Sequence, residues 1–243
     1  MIGQFSIRVD EVKKRLGPNQ ALAGVSLEFA AGKMHGIIGP EGAGKTTLMR
    51  TMLGLLRPDA GSIEYRDDGT PLEFEAVRPR MAYMPQQQSL YPDLSIDEHL
   101  EFFRSLYQIP PDEFRTRRQE LLEITRLSPF VDRAAAQLSG GMYKKLGLMC
   151  ALLRSPEIML LDEPTNGVDP ISRREFWELL YRLADRKILI LVATAYMDEA
   201  ERCSVVHLLE SGRTVAEGEP RELLAREHAR TFDELFLKQA ATS

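Results

Sequence analysis

The densest chemistry in the sequence lies in the octet GPEGAGKT, from Gly39 to Thr46. Gly39 and Gly44 bracket four residues and are followed by Lys45 and Thr46, the spacing of a phosphate loop. Glycines at these places let backbone N–H groups converge on phosphate oxygens at a helix N-terminus. Lys45 then reaches the β and γ phosphates, and the Thr46 hydroxyl is a ligand for Mg²⁺. The candidate binding residues are therefore Gly39, Pro40, Glu41, Gly42, Ala43, Gly44, Lys45, Thr46 and Thr47, with Lys45 also a catalytic candidate.

Two further stretches suit the same ligand. In IMLLDEP an apolar run ends in Asp162 and Glu163, adjacent carboxylates at a strand tip that are costly to bury without a cation or a proton to handle. A nucleotide site supplies both: Asp162 would hold Mg²⁺ directly or through water, and Glu163 would polarise the attacking water, a general-base contribution of roughly 10²- to 10⁴-fold. Acidic strand ends also serve as helix caps, so the pair by itself leaves both readings open. In LSGGM, Ser139 followed by Gly140 and Gly141 opens the apolar helix MYKKLGLMCALL. Its free N–H groups and positive dipole end make a second anion site, whereas an ordinary cap needs only the serine.

The elements that must position these residues follow from periodicity. FSIRV, ALAGVSLEFA and MHGIIG read as strands, with the large sheet beginning at Met34. TTLMRTMLGLL reads as a helix ended by the breaker Arg57 to Gly61, so strand, glycine loop and helix follow in order. From about Gln87 to Arg154 helices dominate, one of them opened by Ser95 and Glu98 in capping-box spacing. IMLLDE and ILILVAT read as buried parallel strands flanking the helix DPISRREFWELLYRLA, with Asp169 at its cap and Pro170 at its first position. The expected fold is α/β, a phosphate-loop core with a mostly parallel sheet, an N-terminal antiparallel β region and an inserted helical subdomain. Residues 1–86 and 155–221 form the core in this division, 87–154 the helical subdomain and 222–243 a helical tail.

Composition narrows the function. The 243 residues are 44% hydrophobic, enough for one large α/β domain, and the formal net charge of −5 gives no chain-wide basic surface for nucleic acid. No apolar stretch approaches the roughly 18 residues of a membrane span, and MIGQFSIRVDEVKK lacks the apolar core of a signal peptide, so a cytosolic location is expected. Cys150 and Cys203, too few for a four-ligand metal cluster, read as packing residues.

The phosphate loop, LLDEP and LSGGM in combination resemble the ATP-binding cassette (ABC) family over nearly the whole chain. The resemblance implies ATP and Mg²⁺ as ligands and transport-coupled ATP hydrolysis as activity. It makes Gln86, in YMPQ, the family's glutamine-loop residue that senses Mg²⁺ and the attacking water. It makes Asp169, in NGVDP, the aspartate that reaches across a dimer interface. Two cassettes, identical or different, would pair head to tail, each LSGG segment capping the nucleotide on the other's phosphate loop. The segment QQSLYPDLS would contact a membrane permease, holding the chain at the inner face of the cell membrane. The phrasing of LYPDLSIDEHLEFFRSLY, LSGGMYKKLGL, NGVDPISRREFW and AYMDEAE is most similar to exporter cassettes whose permease is a separate or fused polypeptide.

Three positions depart from the family pattern. After ILILVAT the family places a histidine that contacts the γ-phosphate; here the residue is Ala195, and His35, His99, His207 and His228 lie elsewhere in the pattern. Near the adenine the family commonly has an aromatic residue where this chain has Leu16. Glu41 stands inside the phosphate loop where a neutral or shorter side chain is usual, and it reads as solvent-facing. Ala195 keeps a second reading in view, a degenerate cassette that completes a partner's site with little hydrolysis of its own, against which stand Lys45, Asp162, Glu163 and Ser139.

Overall fold

The computed structural model describes residues 5–87 and 90–240. Gln88 and Ser89 of the expected permease-facing segment, and the outer ends of the first and last segments of the expected division, lie outside the described residues. The chain begins with a long hairpin, β1 (Phe5–Leu16) and β2 (Asn19–Ala30), turned at Gly17 and Pro18. Strand β1 is more than twice the length that the apolar patch FSIRV suggests, while β2 adds only Asn19 and Gln20 to ALAGVSLEFA, because cross-strand pairing continues through the charged half of β1 to Leu16 opposite Asn19. Next come β3 (Met34–Ile38), α1 (Lys45–Met52), β4 (Ala60–Asp67), β5 (Thr70–Leu72), α2 (Phe74–Val77) and β6 (Met81–Met84). The helical block follows as α3 (Ile96–Tyr107), α4 (Pro111–Thr125) and α5 (Gly140–Leu152). The chain then returns to the core with β7 (Ile158–Asp162), α6 (Pro170–Ala184), β8 (Leu189–Thr194), β9 (Val205–Glu210), β10 (Arg213–Gly218), α7 (Pro220–Arg226) and α8 (Phe232–Ala240).

Two sheets result, one antiparallel in the order β2-β1-β4-β5 and one ordered β10-β9-β3-β8-β7-β6, parallel except where β10 meets β9. Every residue of β3, β7 and β8 is buried, as expected of parallel strands covered on both faces. One face packs on the antiparallel sheet and α1 through Phe5, Ile7, Phe29 and Leu48. The other packs on the helical block and α6 through Leu146, Phe176 and Trp177. Sheet order is what assembles the site. Strand β8 lies between β3 and β7, pairing Thr194 with Ile38 and Ala193 with Asp162, so the phosphate loop, the two carboxylates and Ala195 emerge from one edge of the sheet.

The caps read from sequence are present. Ser95 and Glu98 form a reciprocal capping box on α3, and the Asp169 carboxylate accepts from the N–H groups of Ile171 and Ser172 on α6. Helix α1 ends earlier than its apolar pattern suggests. Gly54, with φ of +66°, takes the left-handed position past the C-terminus, and Leu55 and Leu56 donate back to the Arg50 carbonyl, so Gly54 rather than Arg57 to Gly61 stops the helix.

The two sheets are also joined by a polar chain that runs from the exposed Glu217 through two buried histidines. Glu217 of β10 accepts from His207 Nδ1 at 3.2 Å, His207 Nε2 lies 3.1 Å from His35 Nδ1, and His35 Nε2 lies 3.1 Å from the amide of Ala30 at the end of β2. One arrangement satisfies these links, with His207 and His35 each donating through Nδ1, and the Ala30 carbonyl, also 3.1 Å from His35 Nε2, is placed to accept from the other His35 tautomer. Cys150 and Cys203 are buried free thiols, and burial pushes both up to about 12, so they stay protonated packing groups.

Candidate functional site

The phosphate loop follows β3 directly. Gly44, with φ of +106°, is the N-cap of α1 and contributes no side chain, so the first N–H groups of the helix point outward unclaimed by a cap. A Cβ on Gly44 would lie 2.5 Å from the Ala21 carbonyl, so β2 and the loop meet at a distance that only glycine allows. The turn between β9 and β10 braces the other side, where Gly212 donates to the Ala43 carbonyl at 3.0 Å and accepts from Ala23 at 2.7 Å. Beside the loop opens a cavity of about 380 Å³ lined by Leu16, Asn19, Gln20, Ala21 and residues Gly42 to Thr47. Leu16 is 44% exposed at its edge, and Glu41 faces solvent.

Lys45 and Glu163, each 6% exposed, face one another at 3.2 Å from Nζ to Oε1. The ammonium also donates to the carbonyls of Gly39 and Pro40, at 2.8 and 3.0 Å. It is thus folded onto its own loop, and the negative partners are those a phosphate would displace or share. Asp162 is completely buried, and its carboxylate accepts from the Thr46 hydroxyl at 3.0 Å and from the Tyr83 phenol at 3.2 Å. Burial, reinforced by the Asp162 charge, pushes the Tyr83 phenol up to about 12, which keeps it a donor. Thr47 is buried in the first turn of α1.

Glu163 is held in the left-handed region at φ of +48°, a conformation that costs about 1 kcal/mol or more for a residue with a side chain. Its surroundings impose this. Its N–H donates to the Ala193 carbonyl at 2.8 Å, and its own carbonyl accepts from Asn166 N–H at 3.2 Å and from the Lys144 ammonium at 3.4 Å. Lys144 donates as well to the Gln86 carbonyl at 3.3 Å, and desolvation lowers its pKa while Glu163 and Asp162 oppose the shift. Gln86 itself is exposed beyond β6. The Ala195 side chain is only a methyl, but its backbone N–H donates to Glu163 Oε2 at 3.2 Å, so both oxygens of that carboxylate are engaged. The roles of Tyr83, Lys144 and the Ala195 amide were not legible in the sequence. For Lys144 the only signal was its place one turn past Gly140 on the LSGG helix.

Ser139 and Gly140 lie exposed at the mouth of α5, with Gly141 buried just inside it, and Ser139 Oγ accepts from Met142 N–H at 3.3 Å. They sit beside the mouth of α6. A Cβ on Gly141 would lie 2.5 Å from Ser172, and one on Gly140 would touch the Gly167 carbonyl at 3.4 Å. Among the described residues, no hydrogen bond joins this segment or Asp169 to the phosphate loop. The phosphate loop, Asp162 and Glu163 thus form one constellation, and Ser139, Gly140, Gly141 and Asp169 form a separate face of paired helix N-termini.

A hard cation suits the first constellation. The Thr46 hydroxyl and the Asp162 carboxylate are oxygen donors already 3.0 Å apart. Two oxygen ligands of this kind match Mg²⁺, which takes one or two protein oxygens together with phosphates and water.

Residues 22–166 match the profile of the family described as ABC transporter. The chain belongs to the ABC transporter family. The cassette is 43% identical over 218 residues to the probable multidrug ABC transporter ATP-binding protein YbhF of Escherichia coli K12, covering 87% of this chain and 37% of that one. It is 38% identical over 234 residues to the Nod factor export ATP-binding protein I of Paraburkholderia xenovorans LB400, covering 96% of this chain and 77% of that one. The cassette therefore spans little more than a third of the first relative and about three quarters of the second. A solved ATP-binding subunit of an ABC transporter superposes with a TM-score of 0.82 at 29% identity, covering 96% of this chain and 99% of that one. The α/β architecture with an antiparallel first sheet and a parallel-rich second sheet is that of ABC ATPase cassettes, and ATP is the ligand of the family.

Proposed function

We propose that the chain hydrolyses Mg²⁺-ATP to power export of a substrate through a membrane permease, with two cassettes closing on the nucleotides. The observation that carries this reading is the convergence of Lys45, Thr46, Asp162 and Glu163 at one sheet edge, with Glu163 held by Lys45 on one oxygen and by Ala195 N–H on the other. In this reading residues Gly39 to Thr47 cradle the phosphates, and Lys45 leaves the Gly39 and Pro40 carbonyls for the β and γ phosphates. Thr46, Asp162 and Gln86 would hold Mg²⁺, which would supply neutralisation of phosphate charge. Glu163 accepts a proton from the attacking water as general base. The second constellation, Ser139, Gly140, Gly141 and Asp169, supports pairing. At the mouth of α5 the Gly140 and Gly141 N–H groups are unclaimed by the Ser139 cap and can meet an anion carried by another cassette, with the Asp169-capped mouth of α6 beside them.

The export assignment rests on the names of the relatives, a Nod factor export ATP-binding protein and a probable multidrug ABC transporter ATP-binding protein. Among the described residues no helix is long and apolar enough to cross a membrane, so a spanning path would be contributed by a permease. A cleft of about 280 Å³ between the end of β6 and α3, lined by Tyr83, Met84, Leu90, Phe103 and Tyr107, lies beside the QQSLYPDLS segment and suits an apolar permease element at the inner membrane face. The proposed division keeps residues 1–86 and 155–221 as the catalytic core, 87–154 as the subdomain carrying the LSGG segment, and 222–243 as a tail.

The test is ATP-driven pairing. Glu163→Gln, which retains an acceptor but removes the base, should accumulate a dimer with Mg²⁺ and ATP and not with ADP, read by light scattering. A variant that stays monomeric at millimolar ATP, together with an unmodified chain that hydrolyses no more ATP than the variant, overturns the reading.

A further inference from the structure

The turn that carries Ala195 is anchored from below by a buried carboxylate. Glu199 is completely buried, on the short 3₁₀ turn of residues 197–202 that follows Ala195. Its Oε1 accepts from the Thr165 hydroxyl at 2.7 Å and from the Trp177 indole N–H at 3.0 Å. Thr165 stands two residues beyond Glu163, and Trp177 is the centre of α6, so one oxygen ties together the loop after β7, the turn after β8 and the helix beneath both. Arg173, also on α6, adds a fourth side chain. Its guanidinium stacks on the Tyr196 ring at 4.1 Å and lies 3.9 Å from Glu199 Oε1, too far for a hydrogen bond. Tyr196 N–H donates to Thr194 Oγ1 at 3.1 Å, and the Tyr196 phenol donates to Asn166 at 3.4 Å.

A completely buried carboxylate with one oxygen, Oε2, lacking a partner is expensive, and an apolar residue of the same volume would fill the space at lower cost. Its presence calls for a reason beyond packing. The consequence visible in the structure is the position of the Ala195 amide, whose N–H meets Glu163 Oε2 at 3.2 Å. In a site with no side-chain donor at residue 195, that amide is the contact opposite Lys45 on the catalytic carboxylate, and its place depends on where the turn is held.

We propose that Glu199 is a positioning residue for hydrolysis, holding the Ala195 turn so that its backbone N–H orients Glu163. This rests on the ATPase reading above. The pathway runs from Glu199 through the 3₁₀ turn to Ala195 N–H, and from Glu199 through Thr165 to the loop after Glu163. Both ends of the Glu163–Ala195 hydrogen bond are therefore referred to one buried atom. Arg173 sets the electrostatics of that atom while holding Tyr196 by stacking.

The test is steady-state ATP hydrolysis by the purified full chain, with ATP and Mg²⁺ varied, for Glu199→Leu, Glu199→Gln and Thr165→Val. Glu199→Gln retains an oxygen for Thr165 and Trp177 and should keep kcat within about twofold. Glu199→Leu removes the acceptor, and Thr165→Val removes one donor with little change of shape. Each should lower kcat, by about tenfold for Glu199→Leu and less for Thr165→Val, with the KM for ATP within twofold. Adding Ala195→His to Glu199→Leu should recover much of the loss, because a new side-chain donor bypasses the turn. A merely structural Glu199 would show lowered thermal stability with unchanged kcat per folded molecule, and no recovery on adding Ala195→His; either result overturns the proposal. Should Glu199→Leu fail to fold, Thr165→Val with and without Ala195→His decides in the same way. An unmodified chain without hydrolysis removes the ATPase reading and the inference with it, whereas hydrolysis unaffected by these substitutions removes the inference alone.

Discussion

Acidification should weaken the joint between the two sheets through His35. Burial, followed by the neighbouring His207 and Lys33, lowers the His35 pKa from 6.5 to about 4, while the Ala30 backbone and Glu217 oppose the shift. The unfolded chain therefore takes up a proton near pH 6.5 that the folded chain refuses until near pH 4, and stability is lost as pH falls through that window. A shift of this size corresponds to about 2 kcal/mol lost by roughly pH 5 and about 3 kcal/mol once both states are protonated. The geometry gives the reason. A buried protonated His35 would carry charge out of water and hydrogen on both nitrogens; the Ala30 carbonyl, 3.1 Å from Nε2, would accept one of them, which offsets only part of that cost, and the Ala30 N–H would lose its acceptor. Urea unfolding of the unmodified chain and of His35→Gln, near pH 7.5 and near pH 5, isolates the effect. The variant should be about 1 kcal/mol less stable at the higher pH, from imperfect replacement of the hydrogen bonds, yet lose about 2 kcal/mol less between the two pH values. Equal losses in both proteins would refute the reasoning.

Ala195→His in the otherwise unmodified chain should change kcat for ATP hydrolysis by less than about threefold, because both oxygens of Glu163 already have donors; a rise of tenfold or more would mean that the site lacks an essential contact. Lys144→Met removes the ammonium shared by the Gln86 and Glu163 carbonyls and should lower kcat about tenfold, with Lys144→Arg recovering most of it, as measured by steady-state hydrolysis. Gly141→Ala places a methyl 2.5 Å from Ser172 and should suppress ATP-driven pairing in light scattering, with Ser172→Gly restoring it in the double variant.

Those parts of the fold governed by near neighbours in sequence were legible. Ser95 with Glu98, and Asp169 with Pro170, mark helix starts because a cap bonds within three residues of itself. The run Ile188 to Thr194 announces a strand because burial on both faces leaves no polar alternation, and only its first residue falls outside β8. The phosphate loop was legible because its glycines are needed for local backbone shape. The far half of β1 was not, since Lys13 and Arg15 keep their charges in solvent and Lys14 turns its ammonium to Asp59 while all three pair across the hairpin, and charge there hides the strand. The end of α1 was misread because Leu53, Leu55 and Leu56 continue an apolar pattern past a glycine that local geometry makes decisive. Contacts such as Lys144 with Gln86, 58 residues away, or Thr165 with Glu199, 34 residues away, exist only after the sheet has brought distant strand ends together.

The close approach of Gly141 to Ser172 joins the mouths of α5 and α6 into one plate, separate in its contacts from the phosphate loop of the same chain. In the head-to-tail pairing proposed above, this separation governs how faults combine between copies. A chain damaged at Lys45 still lends its plate, and a chain damaged at Ser139 still holds a nucleotide, so a mixed pair of the two retains one complete site. Both faults placed in a single chain leave none when it pairs with an unmodified copy, because each site then contains one broken half. Two lesions are thus better tolerated when divided between copies than when confined to one. This is the reverse of what holds for an enzyme whose site lies within a single chain.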